Sequence, residues 1–526
     1  MIKVTKELLK QLAKELKFEL SENECNSILQ DFELIQKQLT LLSKVEGADG
    51  YEPISQPFED VANVLSLGNE PFDGDSNIIK LHNALLAGDI TPLQLVKLAI
   101  DNAKKDNNNA FEYISEKEAI DQASSLDPSK KNNLLWGIPY VLKDNFFTKG
   151  IPTTGSSNLL KGYVPDTDSE VNRLLKEQGT ILIGKTTMDE LAMGGQGSSG
   201  HLGRTFNPWD ETHQHIIGGS SSGSAAACAS NIVPFAIGSD TGDSARKPAS
   251  YANLVGFKPT WGLISSKGVI PFAPSLDTVG YFTKTVTDSE IILSTLCGKK
   301  TSKKEVKGLK VAIIDEIYDS IENKTIRKSF EEVIANLKEQ GVIINHVHLD
   351  INVCRSIVPA YSVISNSEGV KSNLSLDRIA TRDRTNGLCQ QTKKRLIIGK
   401  YSMLEQNYEE LYLRARKIRH LINDRVNDIL KEYDAIYLPS SMNSAPLFEG
   451  GELDKMSNEY LIGDNYLAIA NFGGQPSISL PLGFESELPF GGNFIGRVND
   501  ESTILALAKQ VERIVGLTNQ LPKGQR

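Results

Sequence analysis

Two stretches of small residues carry the side chains best suited to covalent chemistry: IIGGSSSGSAAACAS at 216–230 and IGSDTGDSARKPAS at 237–250. The first runs from a glycine pair through serines into an alanine-rich run, the pattern of a tight turn feeding a helix N-terminus. The second follows an apolar strand and again consists of small residues and turn formers. Both place serine hydroxyls and free backbone N–H groups at the rim of a sheet. One such stretch alone reads as an ordinary loop. Two of them in close succession gain weight from a third element, Lys143 at the end of the apolar strand in WGIPYVLKDN. A strand-end lysine is ordinarily solvated, but a serine nucleophile needs a base. His213 and His215 lie in a polar loop and His346 and His348 in a strand-like segment, and none has a recognisable acid partner in the sequence. A desolvated lysine can serve instead, because burial lowers its pKa from ~10.4 toward neutrality and frees the amine.

A rival chemistry is written in GTILIGKTTMD, residues 179–189, which satisfies the phosphate-loop pattern G-x-x-x-x-G-K-[ST] through Gly179, Gly184, Lys185 and Thr186. A phosphate nest needs turn-forming residues between its glycines. Thr180, Ile181, Leu182 and Ile183 are β-branched and apolar instead, the composition of a buried strand. This segment is therefore expected to be a core strand turning at Gly184, with Lys185 a structural or rim residue.

The elements that position these residues follow from periodicity. From about residue 80 onward, strand-like WGIPYVLKD, TILIGK, IVPFAIGSD, KVAIIDE and DAIYLP alternate with helical stretches such as DSEVNRLLKEQG, which predicts a layered α/β domain. A helix is expected after GDI, with Thr91 as N-cap and Pro92 in its first turn. Upstream, residues 5–45 read as two amphipathic helices, the first marked by Leu8, Leu9, Leu12 and Leu16. The second is marked by Ile28, Leu29, Phe32, Ile35, Leu39 and Leu42, and Ser21 with Glu24 forms a capping box at its start. Two such helices cannot bury their apolar stripes alone and must dock on something. Residues 46–78 lack periodicity and read as an extended linker or strap.

Composition narrows the function classes. A chain of 526 residues with 40% hydrophobic and 23% charged residues is ordinary globular protein, and a net charge of -9 does not describe a surface built to wrap nucleic acid. Any nucleic-acid role is expected to be shared with a partner. Cys25, Cys228, Cys297, Cys354 and Cys389 are dispersed and odd in number, so neither a disulfide framework nor a thiolate zinc site is indicated. The N-terminus lacks the continuous apolar stretch of a secretory signal, and no apolar run reaches membrane-spanning length; a cytoplasmic location without membrane attachment is expected.

The segments GIPYVLKDN, GTILIGKTTMDELAMG, NPWD, GGSSSGSAAA, GSDTGDSARKPA and GFKPTWGLIS occur in the order found in the amidase signature family, which residues 137–280 resemble. The similarity continues through PFAPSLDTVGYFTKTV and covers most of the chain from about residue 80. It implies a central mixed β-sheet covered by helices on both faces, here preceded by a small two-helix segment and strap. It also implies catalytic roles: Ser244 as acyl-forming nucleophile, Ser220 as a bridging serine on a cis peptide, and Lys143 as terminal base. The backbone N–H groups of Thr241, Gly242, Asp243 and Ser244 would form the oxyanion hole, each donor contributing about 3 kcal/mol. Asp243 stands where the family most often has glycine, and its carboxylate is expected to face out, toward a cation. Asp240 and Arg246 are expected to brace the loop as an ion pair.

Within the family the similarity is to the A subunits of glutamyl/aspartyl-tRNA amidotransferases, which take ammonia from glutamine. It makes Arg395, in QTKKRLIIGKYSM, the candidate for the donor α-carboxylate, and Asp464, in IGDNYLAIANFGGQPSISLP, the candidate for the α-ammonium. Arg395 read by itself is equally a helix-surface arginine beside Lys393 and Lys394. The two N-terminal helices and YEPISQPFEDVANVL resemble the small C subunit of the same complex, so residues 1–70 would be a fused C-like segment and 71–526 the amidase domain. The implied partners are a separate B subunit, Glu-tRNA(Gln) or Asp-tRNA(Asn) held mainly through it, and glutamine. No metal or cofactor is implied in this chain; ATP and Mg belong to the B subunit. A general amidase of small amides and a catalytically silent scaffold are the alternatives.

Overall fold

The computed structural model describes residues 1–57, 71–298, 300–448, 463 and 465–523. Its strands are β1 Phe111–Ile114, β2 Pro139–Lys143, β3 Ile181–Thr186, β4 Phe235–Asp240, β5 Val255–Lys258, β6 Thr278–Thr283, β7 Lys310–Ile314, β8 Ile343–Val347, β9 Ala435–Pro439, β10 Ser477–Glu485 and β11 Leu488–Gly496. They form one mixed sheet in the order β1-β3-β2-β4-β6-β5-β10-β11-β9-β7-β8. The parallel trio β3-β2-β4 is buried along its whole length, as expected of parallel strands joined by helices. Along β4 the period of two is explicit: Phe235 and Ile237 enter one apolar core, while Ala236 enters a second one with Ile183 and Ala225–Ala229. Parallel pairing also brings the carboxyl ends of β2 and β4 together, and the partnering of Leu142 with Ile237 sets Lys143 beside the last residues of β4.

The phosphate-loop look-alike is strand β3. It does not turn at Gly184 but continues to Thr186, and Gly184 is needed because a Cβ there would lie 2.6 Å from the carbonyl of Tyr113 on β1. Lys185 is fully buried rather than at a rim. Its Nζ lies 3.0 Å from Asp144 and donates to the Phe146 carbonyl at 2.9 Å and to Thr153 Oγ1 at 2.8 Å. The donors of Lys185 are thus spent inside the protein.

The N-terminal segment forms helices α1 (Lys6–Glu15) and α2 (Glu22–Leu39), and the Ser21–Glu24 capping box is present. Leu9, Leu12, Leu16, Ile28 and Phe32 join the same core as Leu396, Ile397 and Tyr401 of the basic helix Gln390–Ser402. Phe32 meets the Tyr401 ring edge-on at 5.3 Å, and Gln36 donates to the Tyr401 hydroxyl at 2.9 Å. Downstream, the Tyr51 and His420 rings pack 5.0 Å apart and Arg416 donates to the Ile54 carbonyl at 2.8 Å, so the chain runs along the helix Arg414–Glu432. Residues 58–70, the middle of the expected strap up to the expected boundary at 70/71, lie outside the described residues.

The helix at Pro92–Lys104 has Thr91 as its N-cap, with Gln94 completing a capping box. A further helix, Asn77–Ala87, overlaps the end of the expected loop. Its N–H groups are capped partly by Ser76 and partly by the distant Asp288, which accepts from the N–H groups of Asn77 and Ile78. A cap supplied across 210 residues leaves no local signal. No helix among the described residues is long and apolar enough to cross a membrane.

Two substitutions test this packing. Phe32→Ala removes a buried ring and is expected to cost about 3–5 kcal/mol; limited proteolysis should then cut between α1 and the strap far faster than in the wild type. Lys185→Met leaves Asp144 buried without its cation, at a cost of about 3–5 kcal/mol. Thermal unfolding should shift down markedly, and adding Asp144→Asn should recover part of the loss.

Candidate active site

The site is assembled at the carboxyl ends of β2 and β4. Lys143, the last residue of β2, is fully buried. Its Nζ lies 2.8 Å from Ser220 Oγ, 2.9 Å from Ser221 Oγ and 2.9 Å from Ser239 Oγ. Ser220 and Ser221 precede the helix Ser222–Ala229, and Ser239 is the penultimate residue of β4. The alanines of that helix let it lie close against the sheet, so the preceding serines reach the amine. The peptide bond between Gly219 and Ser220 is cis.

Three hydroxyls surround the amine, and no carboxylate contacts it among the described residues. Burial pushes the Lys143 pKa down to about 7, against the longer-range pull of Asp189, Asp240 and Asp277. A large neutral fraction at physiological pH follows, which is the state a base requires.

Ser244 is nearly buried and follows the loop Thr241–Asp243. That loop is clamped from several sides. Arg246 binds Asp240 through Nε at 3.1 Å and Nη2 at 2.9 Å, and donates to the Gly242 carbonyl at 2.7 Å and to Asn471 Oδ1 at 2.7 Å. Burial alone would raise the Asp240 carboxyl, but the Arg246 guanidinium overrides it and holds the pKa at about 2. The expected bracing ion pair is therefore present and completely buried. Thr241 Oγ1 donates to Asp277 at 2.7 Å, and Asp277 also accepts from the N–H groups of Phe272 and Ala273. The N–H groups of Ala245, Arg246 and Lys247 are taken by Asp240 and by the Asp243 carbonyl. Those of Gly242, Asp243 and Ser244 have no acceptor among the described residues, as donors kept for a ligand would be arranged.

Asp243 does turn to a cation, Lys247 at 2.7 Å, but the pair is not at the surface: Asp243 is 6% exposed. Burial raises its carboxyl pKa, and Lys247 opposes the rise. The lysine one turn along the helix makes an inward aspartate tolerable there.

Lys143 and Ser220 are thus in direct contact, whereas no hydrogen bond joins Ser220 to Ser244 among the described residues. Arg395 is half-buried and lines a cavity of about 250 Å³ together with Tyr361 and Asn465. A Cβ on Gly242 would lie 2.8 Å from both of these, so the cavity abuts the nucleophile loop. Asp464 lies outside the described residues.

Several contributors escape sequence reasoning. Ser221 and Ser239 complete the amine's cradle, and Asn145 donates to Ser239 at 3.2 Å. Asp189 accepts from the N–H groups of Gly197, Ser198 and Ser199, while its own N–H binds the Ser220 carbonyl at 3.2 Å. Their segments, SSS, GSD and TTMD, are visible in the sequence, but nothing local ranks one serine or aspartate above its neighbours.

Known proteins carry the same arrangement of chain. The amidase family model matches residues 94–505. The glutamyl-tRNA(Gln) amidotransferase A subunit of Staphylococcus saprophyticus is 33% identical over 473 residues, covering 83% of this chain and 96% of that protein. Its counterpart from Thermotoga maritima is 33% identical over 447 residues, 80% and 92% of the two chains. The crystal structure of the Thermotoga maritima protein superposes with a TM-score of 0.70 at 31% identity, covering 87% of this chain and 99% of that one. A crystal structure described as an amidase gives a TM-score of 0.74 at 26% identity, covering 84% and 100%. The family model spans most of the chain, relatives about a third identical cover four fifths of it, and the folds superpose, so the chain belongs to the amidase family.

Proposed function

We propose that this chain is the glutamine-hydrolysing component of a tRNA-dependent amidotransferase. The observation that carries the chemistry is the Lys143 amine, desolvated to a pKa of about 7 and in contact with Ser220. In the proposed reaction neutral Lys143 takes the Ser220 proton as Ser220 takes that of Ser244, and Ser244 Oγ bonds to the amide carbon of glutamine. The carbonyl electrons move onto oxygen, held by the N–H groups of Thr241, Gly242, Asp243 and Ser244. The C–N bond then breaks, the proton returns through Ser220 to the leaving nitrogen, and ammonia departs. Water attacks the acyl group by the same relay and releases glutamate. The free N–H groups of the loop support this reading. A Ser220–Ser244 hydrogen bond, absent among the described residues, is one that a relay of this kind forms when substrate is bound.

Substrate choice rests on Arg395. Lys393 and Lys394, its neighbours, are paired with Glu24 and Asp31, while Arg395 has no ion-pair partner among the described residues and faces the cavity beside Gly242. A guanidinium left in this state suits the donor's α-carboxylate, with Asp464 proposed for the α-ammonium. The relatives named as amidotransferase A subunits favour this donor over small neutral amides. We further read residues 1–70 as a fused C-like segment and 71–526 as the A-like domain. A separate B subunit then binds ATP and Mg, holds Glu-tRNA(Gln) or Asp-tRNA(Asn), and uses the ammonia.

Ser244→Ala should abolish ammonia release from glutamine, a loss of at least about 10⁴-fold in kcat; retained activity would remove Ser244 from its role. Arg395→Gln should raise the glutamine KM by about tenfold or more with kcat little changed, and an unchanged KM would place the carboxylate elsewhere.

A further inference from the structure

The cavity beside the nucleophile loop is not built from the amidase domain alone. One side is lined by Asp31, Leu34 and Ile35, all on α2, and the others by Arg395, Tyr361 and Asn465. Asp31, Leu34 and Ile35 are spaced i, i+3, i+4, so a single face of α2 is presented to the cavity. The rest of α2 is fixed. Phe32 is buried against Tyr401, Glu24 holds Lys393 at 2.8 Å and Asp31 holds Lys394 at 2.7 Å. With Lys394 neutralised by Asp31, Arg395 is left as the lining cation without a carboxylate among the described residues. The volume, about 250 Å³, is below the usual range of small-molecule pockets, so a wall that closes one side decides how large a donor fits.

We propose that α2 forms one wall of the pocket for the non-reacting end of the amide donor. Ile35 acts there as a size-determining residue and Asp31 as a positioning residue that keeps Lys394 from competing with Arg395. This rests on the proposed attack of Ser244 on the donor amide. The N-terminal segment then contributes to substrate selection as well as to docking. An amide too short to reach past Tyr361 and Asn465 is indifferent to α2, whereas a donor with a chain beyond the amide feels it. Ile35→Trp places an indole in the cavity and shortens it. Asp31→Ala frees Lys394 to draw the donor carboxylate away from its productive position.

The test compares full-length wild type, Ile35→Trp and Asp31→Ala, with whatever partner chains co-purify, on acetamide, hexanamide and glutamine. Ile35→Trp should lower kcat/KM for glutamine and for hexanamide by about tenfold or more relative to acetamide. Asp31→Ala should raise the glutamine KM about three- to tenfold while kcat stays within about twofold, with acetamide unaffected. Circular dichroism and thermal melting check that both variants are folded; Asp31 is an outer residue whose loss leaves the α2 core intact, so its result stands even where the tryptophan disturbs packing. Unchanged long-to-short ratios in Ile35→Trp, together with an unchanged glutamine KM in Asp31→Ala, would overturn the wall. Hydrolysis of the neutral amides without glutamine would instead overturn the donor assignment, and the hexanamide-to-acetamide ratio would still read the wall.

Discussion

An amine buried among hydroxyls and away from carboxylates is the constraint on which the site depends. Lys143 and Lys185 sit on neighbouring strands, and both are completely buried, yet their surroundings differ in one decisive way. Lys185 has Asp144 at 3.0 Å and two further acceptors, so its charge is compensated and the side chain is a structural strut. Lys143 has three neutral serine oxygens instead, and desolvation carries its pKa to about 7. A carboxylate in contact with Lys143 would stabilise the ammonium and remove the base. Asp189, Asp240 and Asp277 therefore do their bracing through backbone N–H groups, Arg246 and Thr241 rather than through the amine.

The same economy of charge governs the N-terminal segment. Its helices dock by apolar burial, but the carboxylates of α2 select which cations of the basic helix remain available. Glu24 and Asp31 take Lys393 and Lys394, and Arg395 is left facing the cavity. A run of three adjacent basic residues is thereby resolved into two docking contacts and one candidate binding group.

The sequence shows the parts of this arrangement unevenly. The strands around the site, the Ser21–Glu24 capping box and the Thr91 N-cap are local features, and each appears where periodicity and capping chemistry place it. The strand character of 181–186 follows from its β-branched residues and outweighs the phosphate-loop pattern. Its continuation past Gly184, with a register shift against β2, was not legible, because that glycine answers to the backbone of β1 rather than to a turn. The helix at Asn77 depends on Asp288, and the cradle of Lys143 depends on Ser239, brought in by sheet order. Contacts between elements far apart in sequence decide these features, and no local pattern encodes them.

The pH dependence of kcat/KM for glutamine hydrolysis tests the central claim most directly, because the base must be unprotonated in the free enzyme. Activity should rise with pH through a single ionisation near 7, the value to which burial brings Lys143, and level off above it. A profile that keeps rising toward pH 10, the range of an ordinary lysine, or one that falls across neutrality, would contradict a desolvated Lys143 as the base.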